Sequence, residues 1–172
     1  EPLPIETATA ELIYSSHMIE HISYEAVLRM CEEAFRCLKP GGIFRLTTGP
    51  DAETDFRALQ RGDTHWFYWD RVYEKPGTYE SIFKRPATDV PIEERWLHHV
   101  ATQLAPNDIS PSEQKFNAEE IRAVLDEKGL EPALEYFTSL CSFNPDRPGN
   151  HMSWWTHDRL LDLLKKAGFA DP

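Results

Sequence analysis

The amino-acid sequence predicts an α/β fold in which parallel strands are flanked by helices, followed by a mostly helical insertion. Two observations lead to this prediction. Residues 11–49 read as a strand, a helix, a tight turn and a second strand, and such a crossover joins parallel strands. From residue 51 onwards the apolar spacing becomes helical, and only two convincing strands are found in the 172 residues.

The elements of the predicted crossover can be justified in order. Residues 11–16 are a short apolar run with Ile and Tyr, typical of a buried strand. Ser23 is a good N-cap for the helix that follows, whose apolar residues recur at helical spacing. The run Lys-Pro-Gly-Gly at 39–42 ends this helix, and residues 42–49 form the second strand.

Polar residues follow both predicted strands. Ser15, Ser16 and His17 end the first, and Thr47 and Thr48 end the second. Because parallel strands end at the same edge of a sheet, and open α/β sheets bind ligands there, we expect a site at this edge.

The rest of the chain is predicted to be helical. Residues 63–91 are rich in aromatic residues and proline, and we expect an irregular segment that acts as a lid. Asn117 with Glu120 resembles a capping box, and Thr156 is a cap for the last helix. Helices are predicted over residues 51–60, 92–105, 117–129, 131–141 and after 156, with a loop over 144–153.

Composition narrows the function classes. The chain length suits one domain, residues 1–172, and the net charge of −11 disfavours duplex nucleic acid and anionic membranes as partners. No apolar run approaches the roughly 20 residues that span a bilayer. Three cysteines without a C-x-x-C pair indicate buried thiols in a reducing cytoplasm. Since the sequence starts with Glu1, we expect the natural N-terminus to lie upstream.

The stretch SSHMIEHIS, residues 15–23, contains His17-x-x-Glu20-His21, which is the zinc-binding spelling of inverted metalloproteases. A zinc hydrolase of this type needs both histidines on one face of a helix. However, the motif starts directly after a strand, and Ser23 caps the next helix, so a connecting loop is predicted. There, these residues either hydrogen-bond across the loop in a structural role or serve a site at the sheet edge.

The segments ELIYSSHMIEHIS and LKPGGIFRLTTGPD resemble the second half of class I S-adenosylmethionine-dependent methyltransferases. These enzymes carry D-x-I/V-x-x-x-x-V-L-E-H at their fourth strand, where Glu11 here replaces the first Asp, and L-K-P-G-G before their fifth. Residues 2–5 look like the L-P-F loop before the fourth strand, and the tail NHMSWWTHDRLLDLLKKAGF is similar to the helix ending in A-G-F. The resemblance covers residues 1–51 and 148–169, and it implies a partial Rossmann-like methyltransferase sheet with residues 52–147 as an insertion.

The resemblance implies methyl transfer from S-adenosylmethionine to an unidentified acceptor, and the acidic net charge favours a small molecule. The resemblance implies that His17, Glu20 and His21 are catalytic. It also implies that the cofactor is bound by Leu3, Ser15, Ser16 and His17. The acceptor is expected to contact Tyr68, His151, Trp154 and Trp155, although these aromatic residues can equally pack the insertion against the sheet. The sequence has no Gly-x-Gly loop, which holds the cofactor in the family, so we expect segments outside these residues to complete that site.

Besides the zinc hydrolase, two alternatives remain open from the sequence. Some relatives hold a divalent ion on an E-x-x-E-H run at this place; here His17 replaces the first acid, and a further histidine would be needed. The sequence does not choose among His65, His98, His99, His151 and His157, so no residue is assigned as a metal ligand. The chain can also be a non-enzymatic α/β interaction module that lacks the cofactor loop.

Overall fold

The first part of the chain folds as the predicted strand–helix–strand unit. The structure, a computed structural model, describes residues 2–49, 51–67, 77–110, 112–170 and 172. Strand β1 is Ala10–Ser16, helix α1 is Tyr24–Cys37 and strand β2 is Leu38–Thr47. The two strands pair in parallel and form a two-stranded sheet among the described residues. The α/β prediction is therefore confirmed.

Helix α1 begins where its cap predicts. The Ser23 Oγ accepts a hydrogen bond at 3.3 Å from the backbone N–H of Ala26, one of the amides that the first turn leaves free. Val27, Cys31 and Ala34 recur at helical spacing and are buried, so this stripe packs towards the sheet. The helix thereby covers one face of the strand pair.

Strand β2 begins at Leu38, directly after α1, and not at residue 42 as predicted. The pairing changes register near its start, because Ala10 pairs with Leu38 whereas Leu12 pairs with Ile43. Gly41 has a φ of 79°, a conformation that side chains disfavour. The Lys-Pro-Gly-Gly run is therefore an irregularity within the strand and not a separate turn.

The remaining described elements are helices. They are α2 (Ala52–Gln60), α3 (Thr78–Phe83), α4 (Ile92–Val100), α5 (Ala118–Lys128), α6 (Leu130–Ser139) and α7 (His157–Lys166), with short 3₁₀ turns at Ile19–His21 and Ala87–Asp89. The helices predicted at 51–60, 117–129, 131–141 and after residue 156 are confirmed. The stretch predicted to be an irregular lid contains α3 and one 3₁₀ turn, and its residues 68–76 lie outside the described residues.

Helix α4 is shorter than predicted, since it ends at Val100 instead of residue 105. The reason is a contact from far along the chain. The Thr102 N–H donates to the carbonyl oxygen of His151 at 3.1 Å, while the Thr102 side chain donates to the carbonyl of His98 at 3.0 Å. The loop before α7 therefore replaces the next turn of the helix.

Two groups of buried apolar side chains form the core. One group lies between the strands, α1 and α7, and consists of Ile19, Val27, Cys31, Trp155, Leu163 and Ala167. The other joins the helices of the central segment around Trp96, Leu97 and Phe137. The loop before α7 contributes to both groups, with Trp155 in the first and Trp154 in the second.

The sheet is covered on one face only. Leu12, Tyr14 and Ile43 point to the opposite face and are exposed by 61%, 57% and 62%. The prediction that β1 is a buried strand is therefore wrong for this face, because no other described element packs there. Among the described residues, no helix is both long and apolar enough to cross a membrane.

Candidate functional site

The carboxyl ends of β1 and β2 meet at one polar edge, as the crossover predicts. The His17 N–H donates to the Thr47 carbonyl at 3.1 Å, and the Thr47 hydroxyl donates to the Ser16 hydroxyl at 2.8 Å. Thr48 then donates from Oγ1 to Oε2 of Glu20 at 3.0 Å. These bonds hold the residues that follow both strands in one network.

His17 leaves β1 in a left-handed backbone conformation. Its φ is 49°, which is uncommon for a residue with a side chain. The side chain is 71% exposed, and its Nδ1 lies 3.3 Å from Oε1 of Glu20. Gly49 makes room for this ring, because a Cβ there would lie 2.9 Å from Cε1 of His17. Strained residues held in this way concentrate at functional sites.

Glu20 places a buried carboxylate beside the exposed imidazole of His17. It lies on the 3₁₀ turn Ile19–His21, and its side chain is only 3% exposed. Its backbone carbonyl accepts the N–H groups of Met152 at 2.9 Å and of Ser153 at 3.2 Å. These two bonds bring the loop before α7 to the sheet edge.

His21 and His151 meet beside this carboxylate, with ring centroids 4.8 Å apart in an edge-on arrangement. Nδ1 of His21 lies 3.2 Å from the Asn150 carbonyl oxygen, and Nδ1 of His151 contacts the His99 carbonyl oxygen. Burial above all lowers the pKa of His151 from 6.5 to about 4, so this ring is neutral at pH 7. One ligand atom from each of Glu20, His21 and His151 lies within 4.8 Å of the other two.

The helix that an inverted zinc protease needs is not formed. Ser16 still belongs to β1, His17 has its left-handed conformation, and the 3₁₀ turn covers only Ile19–His21. The two histidines of the motif therefore do not share one helix face. The predicted connecting loop is confirmed, with Ser23 as the cap of α1.

The three residues predicted to bind cofactor besides His17 lie in different places. Ser16 is at the polar edge. Ser15 pairs with Leu46, whose face of the sheet packs against the helices. The Leu3 N–H donates at 2.8 Å to the Glu33 carboxylate, near the end of α1, which is at the opposite end of the strands. The structure thus does not bring Leu3 to the edge.

The residues predicted to bind the acceptor are likewise separated. His151 lies in the cluster at the edge. Trp155 is in the core, and its Nε1 donates to the Ile19 carbonyl at 3.2 Å. Trp154 is buried too, and Arg159 stacks on its ring at 3.6 Å. Tyr68 lies outside the described residues. Their role in acceptor binding stays a prediction.

Sequence reasoning missed two residues that shape the edge. Thr48, which bonds to the Glu20 carboxylate, stands at a predicted strand end, but its spacing in the sequence does not link it to Glu20. Gly49 left no such signal, because its importance lies in the space that it leaves for the ring of His17. Both contacts join residues that follow different strands, so they can be recognised only once the pairing of the two strands is known.

Comparison with known protein families finds a match for the segment that contains His17, Glu20 and His21. The sequence model described as "Methyltransferase domain" matches residues 1–46. No curated protein and no solved structure matches the chain significantly. The match includes His17, Glu20 and His21, whereas Thr48 and His151 lie beyond it. Residues 1–46 are therefore similar to part of a methyltransferase domain, which agrees with the resemblance seen in the sequence.

Proposed function

We propose that this chain is a methyltransferase that uses S-adenosylmethionine and acts on a small-molecule acceptor at the shared edge of β1 and β2. The observation that carries the proposal is the pair His17–Glu20, which lies inside the matched segment at the carboxyl end of its strand. Ligands of open α/β sheets bind at this end. The acidic net charge of −11 favours a small acceptor over a nucleic acid.

The residues at the edge fit one side of the cofactor. S-adenosylmethionine supplies a methyl group on a positively charged sulfur. A buried carboxylate, that of Glu20, and the hydroxyl of Ser16 suit a cation at this place. The glycine loop and acidic residue that hold the rest of the cofactor in this family have no counterpart in the sequence, so these residues account for the methyl-bearing side alone.

His17 is the residue that we expect to remove a proton from the acceptor. Its Nδ1 lies 3.3 Å from Oε1 of Glu20, and the negative charge of this carboxylate favours the tautomer with the hydrogen on Nδ1. Nδ1 of a neutral ring then carries the hydrogen, and Nε2 is left as the base. Glu20 acts as a positioning residue, in the way that a buried acid orients the histidine of a catalytic triad.

A calorimetric titration of the full-length product with S-adenosylmethionine tests the proposal. Saturable binding is expected, and an interaction module that lacks the cofactor site would give no heat. Catalysis is then tested by S-adenosylhomocysteine formation with a panel of small hydroxyl and amine acceptors. Replacing His17 by Gln should lower the rate by about 10²–10⁴-fold, which is the usual contribution of general base catalysis.

The matched control for this variant is His157→Gln. His157 is an exposed histidine on α7 whose side chain is 80% accessible, and it belongs to no cluster at the edge. The control should retain the wild-type rate. Equal rates for the His17 variant and the wild type would overturn the role of His17, and absence of both binding and turnover would overturn the proposed function.

A further inference from the structure

We propose that Glu20, His21 and His151 form a binding site for the ammonium group of a primary amine. One carboxylate oxygen and one nitrogen of each ring lie within 4.8 Å of one another. The three side chains come from two distant segments of the chain, and together they offer a ligand three hydrogen-bond acceptors. Binding at this site does not depend on methyl transfer. Only the last step, in which the bound amine receives the methyl group, rests on the proposed function.

The hydrogen bonds of both rings leave Nε2 as an acceptor. Nδ1 of His21 lies 3.2 Å from the carbonyl oxygen of Asn150, and Nδ1 of His151 contacts that of His99. Since a carbonyl oxygen only accepts, each Nδ1 carries the hydrogen, and each Nε2 keeps its lone pair. Within the described ranges, neither Nε2 receives a hydrogen bond. Both lone pairs are therefore left for a ligand.

The spacing of the three acceptors matches an ammonium nitrogen. Oε1 of Glu20 lies 4.0 Å from Nε2 of His21, and the other separations in the cluster are at most 4.8 Å. Atoms at the corners of such a triangle lie about 2.3–2.8 Å from its centre, so a nitrogen slightly above the centre reaches the length of about 2.7–2.9 Å that is usual for hydrogen bonds from a cation. Direct bonds of about 2.0–2.1 Å to one zinc ion would require the atoms to lie closer together.

The number of acceptors indicates the class of ligand. A protonated primary amine carries three N–H donors and one positive charge, as the lysine side chain does. A hydroxyl group offers one donor, and a tetraalkylammonium group offers none. Three acceptors that include one carboxylate are therefore satisfied together by an ammonium group and not by a neutral alcohol.

The carboxylate of Glu20 also lacks a strong cation as its partner. Glu20 is buried, and its ion-pair partners among the described residues are two histidines, His17 at 3.3 Å and His21 at 4.0 Å. No lysine or arginine in the described ranges forms an ion pair with it, although an isolated buried carboxylate is costly. Thr48 donates to Oε2, which leaves Oε1 beside the two rings. An ammonium ligand supplies the positive charge.

The backbone holds the three acceptors in place before a ligand binds. The carbonyl of Glu20 accepts two N–H groups, those of Met152 and Ser153, directly after His151. Asn150, directly before it, is buried and donates at 2.8 Å to the Ser110 hydroxyl. Side chains held in this way lose little conformational entropy when a ligand binds.

If the proposed function holds, the bound amine is the methyl acceptor. The ammonium nitrogen has no lone pair, so it first gives one proton to Nε2 of His17. The amine nitrogen then forms a bond to the methyl carbon of S-adenosylmethionine, the bond from this carbon to sulfur breaks, and its electron pair stays on sulfur. The products are a methylated ammonium and S-adenosylhomocysteine.

The site is tested by titrating the ¹⁵N-labelled full-length product with methylammonium chloride, without S-adenosylmethionine, and recording the ring nitrogen resonances of its histidines. We expect saturable shifts at Nε2 of His21 and His151 and none at His157, which is exposed and outside the cluster. Tetramethylammonium chloride is the matched control, because it has the same charge but no N–H donor. It should shift neither ring at equal concentration.

Two substitutions locate the binding site. Glu20→Gln removes the negative charge, so the affinity for methylammonium, measured at the His21 resonances, should fall by about tenfold or more. His151→Asn retains a donor for the His99 carbonyl but removes the free ring nitrogen, and it should cause a similar loss. His157→Asn should bind with wild-type affinity, and the far-UV circular dichroism of all variants should match the wild type.

No saturable shift at His21 and His151, an equal response to tetramethylammonium, or equal affinities for the wild type and His151→Asn would overturn the site. The last step is tested by the turnover of a primary amine and of the alcohol with the same carbon skeleton, since methylation of the alcohol alone would overturn it. Absence of ammonium binding leaves the proposed methyl transfer standing. A failed cofactor titration removes the last step and leaves the ammonium site standing.

Discussion

At the scale of single residues, replacing Gly49 is expected to change the position of the His17 ring. In the Gly49→Ala variant the new Cβ would lie 2.9 Å from Cε1 of His17, so the ring must shift, and we expect it to turn away from Glu20. Nδ1 then loses the carboxylate beside it, and the neutral ring should return towards the tautomer ratio of free imidazole. The ¹⁵N chemical shifts of the His17 ring nitrogens, recorded at alkaline pH, measure this ratio.

Gly149→Ala is the control for this change, because a Cβ at residue 149 has nothing within 4 Å. Its His17 ring should give the wild-type nitrogen shifts. If Gly49→Ala also gives the wild-type shifts, the ring does not depend on the space beside residue 49, and the claim that Gly49 makes room for it is contradicted.

His98 makes stability depend on pH. Burial above all, with positive charge on His99, His151 and Lys115 adding to it, lowers its pKa from 6.5 to about 3. Between these values the unfolded chain binds a proton that the folded chain does not. The free energy of unfolding should therefore fall as pH drops through this window, by at most about 1.4 kcal/mol per pH unit from this group.

Urea unfolding at several pH values between about 7 and 4 measures this dependence. His98→Gln cannot titrate, so its free energy of unfolding should fall less steeply than that of the wild type. His157→Gln removes an exposed histidine and should keep the wild-type slope. If the free energy of unfolding depends equally on pH in the two variants, His98 is not the source of this dependence.

At the scale of elements, the cap of α5 can be tested separately from the rest of the fold. The Asn117 side chain accepts the N–H of Glu119 at 2.9 Å and of Glu120 at 3.1 Å, and Glu120 accepts the N–H of Asn117 at 2.9 Å. Asn117→Ala should lower the free energy of unfolding by about 1 kcal/mol. Glu120→Gln should lower it less, because Gln serves in the same box. Equal losses in urea unfolding would contradict this assignment.

Local signals explain which elements could be predicted. The caps Ser23, Asn117 and Thr156 act within one turn of their own helices, so the sequence alone locates those helices. The end of α4 could not be read, because it depends on the bond between Thr102 and His151. The early start of β2 depends likewise on its pairing with β1 across the register shift.

The same distinction applies to the candidate site. The parallel crossover was sufficient to place His17, Glu20 and the ends of both strands together. His151 was one of five candidate histidines, and its place beside Glu20 follows from the long-range bonds of Met152 and Ser153. Composition and spacing carry no information about such bonds.

At the scale of the whole molecule, the uncovered face of the sheet should bind apolar probes. Leu12, Tyr14 and Ile43 expose more than half of their surface there, and contiguous apolar surface of this kind binds the dye ANS. Ile43→Lys should reduce ANS fluorescence of the native protein. Leu140→Lys, at the end of α6 and 38% exposed, is the control and should leave it nearly unchanged. Equal effects would mean that the dye reports another surface.

The central claim is that the methyl donor binds at the edge where His17 lies. The most direct test is the histidine ring spectrum of the ¹⁵N-labelled full-length product, recorded with and without S-adenosylmethionine. The account predicts that the His17 resonances shift on addition of the cofactor while those of His157 stay in place. Saturable cofactor binding that leaves His17 unchanged, or that shifts only histidines away from the edge, would contradict it.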